Sequence, residues 1–158
     1  MLINHSPWAP VIFFGCIGLG FILLLFLLSK MCRWDGLPKA NDSQTAGEKE
    51  ETVQFSSIAV SYNEGVFVQL RGVCFLRIYP KGVEISCLAP ISFFFPPVFI
   101  AWRTVGSVIL EERLVRVTTI SVEPDNKKHY RIAFRDHAAG LIEAKISKNQ
   151  FTSSDNID

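Results

Sequence analysis

The sequence predicts an α+β, mainly β chain: an N-terminal transmembrane helix, then an antiparallel β-barrel or bent sheet, then a C-terminal helix. Three observations predict it. Pro7 to Ser29 is an uncharged, apolar run, of the roughly 20 residues that a helix needs to cross a bilayer core. From Val66 to Phe134, short apolar runs are separated by turn residues, as in an antiparallel sheet. After Asp136, Ala138, Leu141, Ile142 and Ile146 fall at helical spacing.

The apolar run reads as a retained anchor. A cleaved signal peptide has a basic n-region, an apolar stretch of roughly 7–15 residues and a small-residue cleavage site. Met1 to Pro10 holds no Lys or Arg, the apolar core runs from Val11 to Leu28, and Ser-Lys-Met-Cys-Arg-Trp follows with no Ala-x-Ala pattern. Lys30 and Arg33 lie just past the span and nothing basic precedes it. The positive-inside rule then puts the N-terminus outside and the C-terminal domain in the cytoplasm, at the inner face of the cell membrane. Trp8 and Trp34 bracket the span, where interfacial anchors are expected.

Four segments follow: an anchor over 1–34, a flexible linker over 35–52, a β domain over 53–147 and a disordered tail over 148–158. The linker is polar and poor in bulky side chains, so it cannot bury enough apolar surface to offset its ordering entropy. Within the domain, Phe55, Ile58, Ala59 and Tyr62 are spaced as on a short amphipathic helix over Val53 to Tyr62. Strands are expected at Val66 to Leu70, Cys74 to Tyr79, Val83 to Leu88, Val98 to Trp102, Val105 to Leu110, Leu114 to Val122 and His129 to Phe134. Pro80-Lys81-Gly82 is a turn. Facing Ile78 with Val83, Leu76 with Ile85 and Cys74 with Cys87 gathers the apolar residues on one face and sets Arg77 against Glu84. A slip of one residue would oppose Leu76 and Ile78 to polar side chains, so this register wins. It leaves a loop from Tyr79 to Gly82. Pro96-Pro97 cannot lie inside a central strand, so a loop ends there. Asp136 is positioned to cap the last helix.

The order of elements resembles pleckstrin-homology-like (PH-like) domains. The resemblance is carried by Gly82-Val83-Glu84-Ile85-Ser86 and by Pro96-Pro97-Val98-Phe99-Ile100-Ala101-Trp102-Arg103-Thr104-Val105. Uncharacterised bacterial membrane-associated proteins carry a similar Pro-Pro-x-x-Ile-x-Trp run, with a further proline where this chain has Ala101. The resemblance spans Tyr62 to Phe134 and implies a PH-like fold with no assigned activity.

Chemistry-bearing patterns are sparse. The net charge is +1, with 16 basic and 15 acidic residues, so there is no electrostatic footprint for nucleic acid. His5, His129 and His137 have no second ligand at i+3 or i+4, and no Cys spacing builds a zinc site. No nucleophile elbow, phosphate loop or dinucleotide fingerprint occurs, so neither catalysis nor a cofactor or metal is expected. Asp136-His137 and Glu111-Glu112 read as solvated groups. Cys74 and Cys87 read as packed thiols, although their facing positions also suit a disulfide. The candidate binding residues are the aromatic run Phe93, Phe94 and Phe95, which either dips into headgroups or fills the open end of the sheet, and the basic group Lys127, Lys128, Arg131 and Arg135, which suits anionic lipid. The function expected is a membrane-anchored, non-enzymatic binding module for a protein partner or lipid headgroup. The alternative is a structural subunit assembled through Cys16-x-x-x-Gly20, a small-xxx-small spacing in the span.

Overall fold

The computed structural model describes residues 8–40, 51–63, 65, 67–112, 116–123 and 129–154. Helix α1 spans Ala9–Met31. It is long and apolar enough to cross a membrane, with a mean hydropathy of 2.9 over its most apolar stretch. It stops where Arg33 turns into the left-handed region at φ 47°, and a single 3₁₀ turn follows at Trp34–Gly36.

The strands are β1 (Glu51–Tyr62), β2 (Val68–Tyr79), β3 (Gly82–Cys87), β4 (Val98–Ala101), β5 (Val105–Glu112), β6 (Arg116–Val122) and β7 (Tyr130–Arg135), and α2 is Asp136–Ser154. They form one bent antiparallel sheet in the order β4-β3-β2-β1-β7-β6-β5. The inner face carries Ile58, Leu76, Ile85, Ile100, Ile120 and Phe134, all buried. Helix α2 lies across β6 and β7 and reaches β1. It sets Ala138, Ala139, Ile142 and Ile146 into the core, and the Thr118 hydroxyl donates to the Ala139 carbonyl at 3.1 Å.

The β2–β3 register is the expected one: Cys74 faces Cys87, Leu76 faces Ile85 and Ile78 faces Val83. Arg77 and Glu84 form an ion pair across it. Tyr79 also pairs with Gly82, so the loop shrinks to Pro80-Lys81. Gly82 is required by close approach, because a Cβ there would collide with the Ile100 carbonyl and the Phe99 ring.

Three expectations are corrected. Val53 to Tyr62 is not helical but belongs to β1. The first of two register shifts, between Val53 and Ser56, puts an extra residue on β1 and breaks its alternation, with Phe55 at a left-handed φ of 52°, whereas the second, between Ser56 and Ile58, puts its extra residues on β2. Bulges of this kind insert an extra residue and bend the strand, which hid its period of two. Val68 to Leu70 of the first expected run and the run at Cys74 to Tyr79 are parts of one strand, β2, that passes through Gly72 at φ 63°, whereas Phe67 precedes the strand and Val66 lies outside the described residues. The Gly72 N–H is bonded to the Ser57 hydroxyl at 3.2 Å. Finally, the backbone of the expected tail over 148–158 stays helical through Ser154, as no proline or glycine interrupts it after Gly140. Residues 155–158 lie outside the described residues.

Candidate functional site

The candidate site lies where α1 meets the sheet. Four residues of the last turns of α1 and just beyond it share one helix face: Leu25, Leu28, Ser29 and Cys32. Leu25, Ser29 and Cys32 are buried, and Leu28 packs against the core. Their i, i+3, i+4, i+7 spacing is that of a helix lying on an apolar surface. On the opposite sides, Leu24, Phe26, Leu27 and Met31 are exposed. Lys30 bonds Asp35 at 3.2 Å, and this bond to Lys30 holds the Asp35 carboxyl below its ordinary range.

Trp34 is not a headgroup-level anchor. It is 1% exposed. Its ring meets Phe95 edge-on at 5.3 Å and its indole N–H donates to the Pro96 carbonyl at 2.7 Å. Arg33 is clamped beside it: the Tyr130 hydroxyl donates to the Arg33 carbonyl at 3.1 Å, and the Arg33 guanidinium sits 5.2 Å over the Tyr62 ring. Gly36 lets the chain pass Tyr130, because a Cβ there would collide with the phenol oxygen. Burial pushes the Tyr130 phenol up to about 12 and the Cys32 thiol up to about 11. Tyr62, Tyr130 and Val122 form one row of paired residues at the end of the sheet away from the start of α2. The chain leaving α1 therefore closes that end.

Residues 35–40, the first part of the expected linker, continue along the edge of β4. Leu37 is buried. Phe99 N–H donates to the Pro38 carbonyl at 2.9 Å, Ala40 N–H donates to the Pro97 carbonyl at 3.1 Å, and Lys39 bridges Val98. The Pro-Pro-x-x-Ile-x-Trp run thus has a structural role. Pro96, Pro97, Val98 and Phe99 receive the segment leaving α1, Ile100 is in the core, and the Trp102 indole ties β4 to the hairpin through the Tyr79 carbonyl at 3.2 Å. The rest of the expected linker, 41–50, lies outside the described residues.

The aromatic run divides. Phe95 is fully buried, Phe94 packs partly against the core, and Phe93 is 82% exposed. Arg131 and Arg135 sit four residues apart on β7, outward because Tyr130, Ile132 and Phe134 face inward. Arg131 lies between Ser61 and Ser121 near the Trp34 end, whereas Arg135 pairs with Val117 near the start of α2. The two arginines are thus about 13 Å apart along the strand, and Arg135 is not brought to Phe93. Lys127 and Lys128 lie outside the described residues.

Elsewhere, Glu84 accepts hydrogen bonds from Arg77 and, at 3.1 Å, from the Tyr79 hydroxyl. Burial and the Glu84 carboxylate raise the Tyr79 phenol. The sulfurs of Cys74 and Cys87 are 3.5 Å apart and both are free thiols. Their mutual hydrogen bond and burial raise the Cys74 thiol far above its ordinary value. His129 meets Glu123 at 3.0 Å and His137 meets Glu51 at 3.7 Å, all four at the surface. Among the described residues no group of three or more His, Cys, Asp or Glu is placed to hold a metal ion.

The strand order and the helix following the last strand define a PH-like fold. The chain is similar to the Vps36 N-terminal PH domain, with a TM-score of 0.47 and 8% sequence identity over 73% of this chain and 93% of that one. No protein-family model matches the sequence, and no curated protein matches it.

Proposed function

We propose that this chain is a single-pass, membrane-anchored, non-enzymatic binding module whose PH-like domain sits at the inner surface of the cell membrane. The observation that carries the proposal is the continuity of α1 with the core of the sheet. Leu25, Cys32, Trp34 and Leu37 belong to one buried cluster with Phe95 and Tyr130. A leader removed by cleavage leaves no side chains in the mature core, whereas here its loss would strip the residues that close the sheet. Lys30 and Arg33 after the span support a cytoplasmic domain. The Pro96 to Trp102 run supports kinship with the bacterial membrane-associated proteins that it resembles.

Of the two ligand classes, a protein partner is favoured. The β4 edge is covered by residues 38–40 of the same chain. At the other edge, no described strand pairs with the outer side of β5, and Ile109 and Leu110 are 49% and 51% exposed. An apolar edge strand with unpaired backbone groups accepts an added strand. Photocrosslinking in cells from position 109, with the exposed position 55 on β1 as control, tests this reading. A protein adduct specific to position 109 is expected. No protein adduct, or the same adducts from both positions, overturns it, and adducts only with lipid transfer the function to headgroup binding.

One observation also favours assembly through α1. Cys16 is exposed and Gly20 has open space around it. At 100° per residue both lie about 150° around the helix from the stripe that docks on the domain. Their face is therefore open to a second helix. Gly20→Ile dissociates the oligomer if this contact holds it, and an unchanged mass by light scattering in detergent refutes that reading.

A further inference from the structure

We infer that the domain is seated in the interfacial layer of the bilayer rather than suspended below it, and that Phe93 enters the lipid beside α1. The inference rests on α1 being a membrane span. Leu25 is 6% exposed and Ser29 is 8% exposed, although the neighbouring Leu24 and Phe26 are 51% and 47% exposed. Leu25 precedes the end of the span at Met31 by six residues, or about 9 Å along the helix axis. The span Pro10–Met31 has 22 residues, about 33 Å, against a hydrocarbon core of about 30 Å. Whatever covers Leu25 therefore reaches the depth of the headgroups and the hydrocarbon margin.

The connection from β3 to β4 stands just past the end of α1, where the Trp34 ring and indole N–H meet Phe95 and Pro96. Phe95 packs on Trp34, three residues beyond α1. Phe93 is two residues from Phe95, so their Cα atoms are within about 7 Å. Phe93 is 82% exposed, more than any other large apolar side chain among the described residues. No charged residue occurs from Ile85 to Trp102.

The backbone here is also suited to a medium poor in water. The N–H groups of Phe93, Phe94 and Phe95 donate within the loop, to Pro90 at 3.2 Å and to Ile91 at 2.9 and 3.0 Å. Unpaired backbone groups are costly at membrane depth, and this loop has already paired three of its donors. Ile91 and Phe94 pack against the core and hold the turn so that Phe93 projects. A Phe ring in water forgoes the favourable transfer of its apolar surface. A loop that fixes one ring outward beside a membrane helix recovers that term from lipid.

Depth measurement by nitroxide labelling tests the inference. The full chain carries Cys16→Ala together with Phe93→Cys, or with Lys81→Cys at the exposed hairpin tip as the water-facing control. Cys32, Cys74 and Cys87 are buried and stay unlabelled. In phosphatidylcholine–phosphatidylglycerol vesicles, the ratio of oxygen to nickel-chelate collisions at position 93 is expected to be several-fold above that at position 81. Equal ratios at the two positions overturn the seating of Phe93. Carbonate extraction of the same vesicles separates the two readings. Release of the chain overturns α1 as a membrane span, whereas retention with equal ratios overturns the seating alone.

Discussion

Replacing Trp34 by Ala tests how firmly α1 is joined to the sheet domain. The ring is 1% exposed, so its removal deletes a whole aromatic side chain from the core. Truncations of buried Phe or Trp to Ala cost about 3–5 kcal/mol, the spread reflecting how far the site collapses. The Pro96 carbonyl also loses the indole donor that reaches it at 2.7 Å, a net contribution of about 1 kcal/mol. In a domain of this size each kcal/mol moves the midpoint by about 4–8 °C. The expected fall is thus on the order of 12 °C or more by thermal unfolding of the full chain in detergent, followed by near-ultraviolet circular dichroism. Trp8→Ala is the control, since Trp8 is 66% exposed and surface changes stay within about 0.5 kcal/mol. A Trp34→Ala/Phe95→Ala double cycle should show about 0.5–1.5 kcal/mol of coupling from the edge-on ring contact. A loss below about 1 kcal/mol for Trp34→Ala, equal to that of Trp8→Ala, would refute the burial of Trp34 and return it to the membrane interface.

Three further outcomes are expected. Glu84→Ala removes the acceptor shared by Arg77 and the Tyr79 hydroxyl and should cost about 1–3 kcal/mol in denaturant unfolding, with Glu84→Gln costing less; equal losses would show that hydrogen bonding at Glu84 is not what counts. The Tyr130 phenol is raised from 10.0 to about 12, chiefly by burial, so the folded state holds its proton more tightly than the unfolded chain. Its contribution to stability is fully present below pH 10 and is lost as pH rises through about 12. Tyr130→Phe should remove that alkaline loss and the late step in the phenolate absorbance, and an unchanged titration would refute the assignment. Cys32, Cys74 and Cys87 are buried, with the Cys32 and Cys74 thiols raised. They should therefore resist alkylation in the native full chain and react on denaturation, as read by mass spectrometry; rapid native labelling would show that the core is open.

The β2–β3 hairpin was legible because its information is local. Alternation, a Pro-Lys-Gly turn and one opposite-charge pair define a register within a few residues. The α2 stripe was legible for the same reason, since helical spacing is visible in one short window. β1 was not, because its bulge at Phe55 shifts which residues face inward. Ser56, Ile58 and Val60 are buried while Phe55 is 61% exposed against Phe75. Bulges depend on the partner strand, and here the compensating irregularity lies at Gly72 in β2. The aromatic run was legible as a feature but not in its division, because the fate of each ring depends on the 3₁₀ turn at Ile91–Phe93. The place of Trp34 is not legible locally, because a Trp after an apolar span has two physical fates, interface or core. The choice lies with Phe95 and Pro96, about sixty residues away.

By itself, the sequence determined the mainly β class, the apolar span with basic residues after it, the hairpin register and the closing helix. Each of these follows from periodicity or composition over a short window. Only the tertiary structure decided that Cys32 to Trp34 close one end of the sheet and that residues 35–40, the first part of the expected linker, run along the edge of β4. That outcome depends on contacts between segments distant in the chain: Trp34 with Phe95 and Pro96, Arg33 with Tyr62 and Tyr130, and Pro38 with Phe99. Such contacts leave no periodic trace, because each is one side chain meeting one distant site.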